Sequence, residues 1–149
     1  MKIIQTTLFT ILSIFLLALP LASQAELGGN LASINQEQKT FGSTLSSSPQ
    51  TGFTIYTQAI SPGLVLKEYL TTNANVFAIT WKGPSLPNFQ VVLGAYYSNY
   101  LTALQNNPRA IFFQDDNIVI ESGGVMGGYV GRAYLPKQFP AGMTPANLQ

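Results

Sequence analysis

The chain has 149 residues, 7 Lys and Arg against 6 Asp and Glu, and neither His nor Cys. This length fits one domain, and the missing types exclude disulfides, thiolate nucleophiles, thiolate metal sites, histidine-based catalysis and the lipid-carrying Cys of an envelope lipoprotein. Charged residues are 9 % and hydrophobic ones 46 %, a balance that argues against disorder.

Met1-Lys2 supplies one positive charge, Ile3–Leu21 is mostly apolar and densest at Leu8–Leu19, and Pro20 breaks the run before Leu21-Ala22-Ser23-Gln24-Ala25. Ser23 and Ala25 are the small residues that precede a peptidase site, so residues 1–25 read as a secretory signal peptide. The competing reading is an uncleaved anchor, but a dense run of about 12 residues falls short of the roughly 20 of a spanning helix. Removing residues 1–25 takes away Lys2 and no acid, so residues 26–149 carry 6 basic and 6 acidic groups. A neutral domain without a basic stretch has no electrostatic footprint for nucleic acid and no polybasic patch for anionic lipid. Seven Phe, seven Tyr and Trp81 remain as bulk for a single core.

Glu26-Leu27-Gly28-Gly29-Asn30 is a short flexible lead-in. Ser33, three residues before Gln36, predicts a capping box and a short helix over Ile34–Phe41, with Gly42 as its C′ residue. Residues 43–52 are Ser/Thr-rich with Pro49 and read as a linker. Phe53–Ile60 alternates, Ser61-Pro62-Gly63 turns, and Leu64–Leu70 places Leu64, Leu66 and Leu70 on one face. After Thr71-Thr72-Asn73-Ala74, Asn75–Trp81 repeats the pattern with Phe77, Ile79 and Trp81 in register. Short connections make these strands an antiparallel meander. Beyond Gly83-Pro84, with Ser85 or Asn88 as cap, Phe89, Leu93, Tyr96, Tyr100 and Leu104 recur at helical spacing. They predict one long amphipathic helix over 88–105 that Asn106-Asn107-Pro108 ends. Ile118–Glu121 and Val125–Leu135 read as a hairpin turning at Gly123-Gly124, which sets Glu121 opposite Met126. Residues 136–149 read as an extended tail. The expected fold is α+β: a single domain over 26–149, an antiparallel sheet of about five strands with one long helix and a short N-terminal helix on one face.

Gly63-Leu64-Val65-Leu66-Lys67-Glu68-Tyr69, Val76–Pro84, Pro87-Asn88-Phe89, Leu93-Gly94-Ala95-Tyr96-Tyr97, Ile118–Gly124 and Gly131-Arg132-Ala133-Tyr134 follow one another in the order of a known family. With Ala25–Gly29, the Ser33–Gly42 helix, Tyr56, Tyr100 and Pro136, the chain resembles the exported bacterial "domain of unknown function 2844" family over nearly all of residues 26–149. The resemblance implies a secretory signal and one small envelope domain, and it implies no assigned activity. The helix start reads Pro87-Asn88 where the family usually has Pro-Asp. Gly127-Gly128 stands where the family has bulkier residues.

Five side chains are candidate ligand contacts: Glu68, Trp81, Tyr97, Tyr100 and Arg132. Glu68 shares the face of Leu64, Leu66 and Leu70, so it either has a perturbed pKa or forms a cross-strand pair with a Lys or Arg; the pair is the preferred reading. Trp81, Tyr97 and Tyr100 could stack on a sugar or peptide if exposed together, but at this spacing core packing is preferred. Arg132 could grip a carboxylate or pair with Glu121, but the expected register sets the two apart, and solvated rim charges are the preferred reading. Asp115-Asp116-Asn117 lacks the spacing and Gly of a calcium loop and reads as a polar turn. The Gly-rich segment at 123–128 lacks the Lys-Ser/Thr end of a phosphate loop.

No catalytic constellation, metal site or cofactor emerges. The reading this favours is a non-enzymatic periplasmic or secreted binding or assembly factor, acting on an envelope protein or small ligand, without nucleic acid and without stable membrane insertion after signal cleavage. A small carboxylate-dependent hydrolase or lyase using Glu68 or Glu121 is one alternative. A structural component associating through a sheet edge is another.

Overall fold

Residues 27–60 and 62–149 are described by the computed structural model. The secretory-signal segment, Glu26 and Ser61 of the first turn lie outside the described residues. Helix α1 (Leu31–Phe41) starts one turn earlier than the Ser33 signal implies. Asn30 is its cap and accepts from the Ala32 and Ser33 amides, while Ser33 Oγ accepts from the Asn30 amide at 2.8 Å. Ser33 is thus the reciprocal partner of the box. Gly42 closes the helix in the left-handed region (φ 59°).

The polar stretch expected to be a linker is strand β1 (Thr44–Gln50). It pairs antiparallel with β2 (Phe53–Ile60), from Thr44 opposite Ala59 to Gln50 opposite Phe53. Its backbone supplies the ladder although its side chains bury little, and as an edge strand it tolerates Pro49. Strands β3 (Leu64–Thr71) and β4 (Val76–Gly83) complete the predicted meander.

The single long helix is replaced by α2 (Phe89–Leu93), a 3-10 turn (Gly94–Tyr96) and α3 (Tyr97–Asn106). Gly94, at φ 49° and ψ −117°, leaves helical space and breaks the axis. The break turns Phe89 and Val92 on one side, and Tyr100 and Ala103 on the other, onto the same core.

Strands β5 (Ile111–Gln114), β6 (Val119–Val125) and β7 (Gly128–Tyr134) follow. The sheet therefore has seven antiparallel strands, in the order β1-β2-β3-β4-β7-β6-β5. The β6–β7 hairpin turns at Met126-Gly127, with Val125 opposite Gly128 and Gly127 at φ 89°, three residues beyond the expected turn. Glu121 consequently faces Arg132, not Met126.

All three helices lie on one face of the sheet, over a core that includes Leu66, Ile79, Trp81, Ile118 and Ile120. The other face is covered over part of its area by residues 136–149. This tail contains two 3-10 turns, Pro136–Gln138 and Pro145–Asn147. Phe139 sets its ring edge-on to Phe77 and Tyr134, at 5.2 and 5.5 Å. Leu148 joins the second cluster with Tyr69, Phe77, Ala78, Val119 and Tyr134.

Candidate functional site

The tail leaves part of its sheet face uncovered, and a cavity of about 940 Å³ opens there. Strand pairing sets its floor. One cross-strand row runs Lys67, Thr80, Arg132, Glu121, Phe112. The next runs Val65, Lys82, Val130, Gly123. Leu148 and Gln149 border the cavity where the tail meets it. Gln149 is tied down there, its carbonyl accepting from Tyr69 Oη at 2.8 Å and Thr80 Oγ1 at 3.0 Å. Its amide donates back to Tyr69 Oη at 2.9 Å.

Arg132 is at the centre of the floor and is already engaged. Its Nε donates to Glu121 Oε2 at 2.7 Å, and its Nη1 donates to the Pro145 carbonyl at 2.7 Å. The doubt about pairing Glu121 with Arg132 is therefore corrected: the later turn puts them directly opposite. Both are about a third exposed, so the ion pair contributes on the order of 1 kcal/mol or less. Arg132 acts as a strut between β6 and the tail. Lys67 and Lys82, by contrast, have no ion-pair partner among the described residues. Phe112 and Val130 expose 61 % and 55 % of their surface at the apolar side.

A second polar cluster lies on the opposite face, under α1, and is closed to solvent. Glu37, Gln58 and Glu68 are each at most 1 % exposed. Gln58 Nε2 donates to Glu37 Oε2 at 2.7 Å and to Glu68 Oε2 at 2.9 Å, while its Oε1 accepts from Ser43 Oγ at 2.6 Å. One amide thus bridges two carboxyls. The two carboxyls are held close by this shared amide, near enough for the charge of Glu68 to oppose ionisation of Glu37. Burial raises the Glu37 pKa most, and the neighbouring Glu68 charge raises it further. Burial also raises Glu68, against the lowering effect of the Gln58 hydrogen bond. Two bare charges so close in a dry core would be very costly, so the pair holds a shared proton. Glu37 Oε1 has no hydrogen-bond partner among the described residues.

The five candidate residues fall in three places. Glu68 belongs to this sealed cluster, and the expected Lys or Arg partner is replaced by Gln58 and Glu37. Trp81, Tyr97 and Tyr100 come together through Phe89. Trp81 meets Phe89 at 5.0 Å, Phe89 meets Tyr100 at 4.3 Å, and Tyr100 meets Tyr97 at 6.0 Å. This chain packs the helix-side core, with Trp81 only 1 % and Tyr100 8 % exposed. The Trp81 indole N–H has no hydrogen-bond partner among the described residues. Of the five, Trp81 and Arg132 border the open cleft, and with Trp81 only 1 % exposed it is Arg132 that offers an accessible side chain there. Sequence reasoning missed Lys67 and Lys82, which look like ordinary strand cations, and Glu37, which hides in the polar run Gln36-Glu37-Gln38-Lys39. Its signal was spacing: Glu37 falls between Ile34 and Phe41 on the inward stripe.

Asp115 Oδ1 accepts from the Asn117 and Ile118 amides, which makes that acidic segment a turn. Among the described residues no group of three or more acidic side chains could hold a metal ion. No described helix is long and apolar enough to cross a membrane.

These features define a small α+β domain: a seven-stranded antiparallel sheet, helices on one face and a half-covered cleft on the other. The family model for Protein of unknown function (DUF2844) matches residues 23–148, and the chain belongs to that family. No curated protein and no solved structure matches it.

Proposed function

We propose that this chain is an exported, non-enzymatic envelope domain that binds a small ligand in the cleft between the tail and the β6–β7 hairpin. The observation that carries the reading is the cleft itself. About 940 Å³ of space stands over a sheet face that the fold could have covered with its own tail, a size typical of small-molecule sites. The signal pattern of residues 1–25 supports export to the periplasm or medium. Hydrolase chemistry on two carboxylates would need both at one cleft. Here Glu37 and Glu68 are sealed in the core, and among the described residues Glu121 is the one acidic side chain lining the cleft. Association through a sheet edge would use β1 or β5, and a concentration-independent monomer in size-exclusion chromatography would dismiss it.

Nile red, an uncharged dye that brightens in apolar sites, tests the cleft. Saturable one-site binding is expected, lost in Val130→Glu at an unchanged urea midpoint. No saturable binding, or equal binding by that variant, would overturn the reading. Export is checked by expressing the full chain and sequencing the N-terminus of the exported product, expected at Glu26.

A further inference from the structure

We infer that the cleft takes a monomeric anionic amphiphile, an aliphatic chain ending in a carboxylate or phosphate, with its head between Lys67 and Lys82 and its chain over Val130 and Phe112. The inference rests on the cleft being a ligand site and adds the ligand's chemistry. The floor is divided by strand. On β3 and β4, Lys82 lies opposite Val65, two residues before Lys67, so the lysines are diagonal neighbours on one face. Neither has a carboxylate counter-charge among the described residues. Two adjacent ammonium groups without a counterion repel, and a single anion between them removes that repulsion while gaining two charge-assisted hydrogen bonds.

Glu121 does not compete for this position. It is two strands beyond β4 and is neutralised by Arg132 at 2.7 Å. Across β7 to β5 the floor carries the exposed apolar side chains of Val130 and Phe112 beside the Arg132–Glu121 pair, whose charges cancel. From Lys82 on β4 to Phe112 on β5 is three strand spacings, about 14 Å. That distance suits an extended chain of medium length, not a compact polar metabolite. Two lysines fall short of the cluster of roughly four to eight cations that holds a protein to an anionic bilayer, so the ligand is a free molecule and not a membrane surface.

The probes are dodecanoate and dodecyl phosphate below their micelle concentrations, dodecyltrimethylammonium as the charge-reversed chain, inorganic phosphate as the head alone, and phosphatidylglycerol vesicles. The readout is displacement of Nile red from the folded wild-type chain. Dodecanoate and dodecyl phosphate should displace the dye at least tenfold more effectively than dodecyltrimethylammonium, and phosphate should not displace it. The double variant Lys67→Gln/Lys82→Gln should lose roughly tenfold to a hundredfold in dodecanoate affinity, measured relative to its own Nile red affinity, the range of a lost hydrogen bond to a charged group. A saturable dye site that dodecyltrimethylammonium empties as well as dodecanoate would overturn the ligand class and leave the cleft reading standing. Unchanged dodecanoate affinity in the double variant would do the same. Absence of any saturable dye site overturns both. Co-sedimentation with the vesicles that dodecanoate does not reverse would replace the free ligand by a membrane surface.

Discussion

Raising the pH from 6 to 9 should destabilise this domain, because the folded state holds protons that the unfolded chain has released. Burial, together with the adjacent Glu68, pushes Glu37 from 4.5 up to about 9, and burial pushes Glu68 up to about 7. Unfolded carboxyls are ionised above pH 6, so the native state binds more protons there and stability falls as pH rises. The contribution is fully present below about 4.5 and is lost as pH climbs through the folded values. Between pH 7 and 9 one retained proton gives a slope of about 1.4 kcal/mol per pH unit, hence ~3 kcal/mol across the window. That is a large share of the 5–15 kcal/mol of an ordinary domain. The chain lacks His and Cys, so apart from the α-amino group no group of ordinary pKa titrates in that interval. Urea unfolding followed by the fluorescence of Trp81, the single tryptophan, reads the slope directly. Glu37→Gln should flatten it and make the variant the more stable protein at pH 9, since Gln supplies donors to an ionised Glu68. Wild-type stability that is constant to within about 0.5 kcal/mol from pH 6 to 9, or that rises, would refute a proton shared in the core.

Three further perturbations probe the scaffold. Gly131→Ala would put a Cβ 2.5 Å from the Glu121 carbonyl oxygen and against the Trp81 indole. A loss of about 1–3 kcal/mol is expected, seen as a melting point several degrees lower, and an unchanged melting point would contradict the close approach of β7 to that ring. Asn30→Ala removes the acceptor of the Ala32 and Ser33 amides. It should cost about 1 kcal/mol in chemical denaturation. Tyr69→Phe deletes both hydrogen bonds to Gln149. Hydrogen exchange at the Gln149 amide should accelerate several-fold, with global stability lowered by about 1 kcal/mol; unchanged exchange would mean that other contacts hold the tail.

The elements with a clear period were legible. Alternation located β2, β3 and β4, and the Leu64–Leu66–Leu70 face correctly placed Glu68 on the inner side. Thr44–Gln50 was not legible because an edge strand needs no apolar face, and Ser46-Ser47-Ser48-Pro49 carries none. The helix break at Gly94 was masked because the apolar spacing continues through it: the 3-10 turn keeps both halves on one core. The hairpin shifted because four glycines within six residues allow several turns, and Gly127 in the left-handed region selects the later one. Of the cleft, sequence reading reached Arg132 but not its commitment to Pro145, which depends on where the tail lies. Nor could it pair Glu37 with Glu68, 31 positions apart, since that meeting exists only once α1 lies on β2 and β3.

The strand order has a kinetic consequence. Strands β1 to β4 form one run of local hairpins and β5 to β7 another, and the two runs meet only where β4 pairs with β7. Each run can assemble from neighbours in sequence, whereas the seam must first close a loop of helices between Gly83 and Ile111. We expect that seam to limit the folding rate. Substitutions at Ile79 or Ala133, which face each other across it, would then slow refolding, whereas changes in β1 would chiefly speed unfolding. A chevron analysis in which β1 substitutions slow refolding as much as seam substitutions would place the nucleus elsewhere.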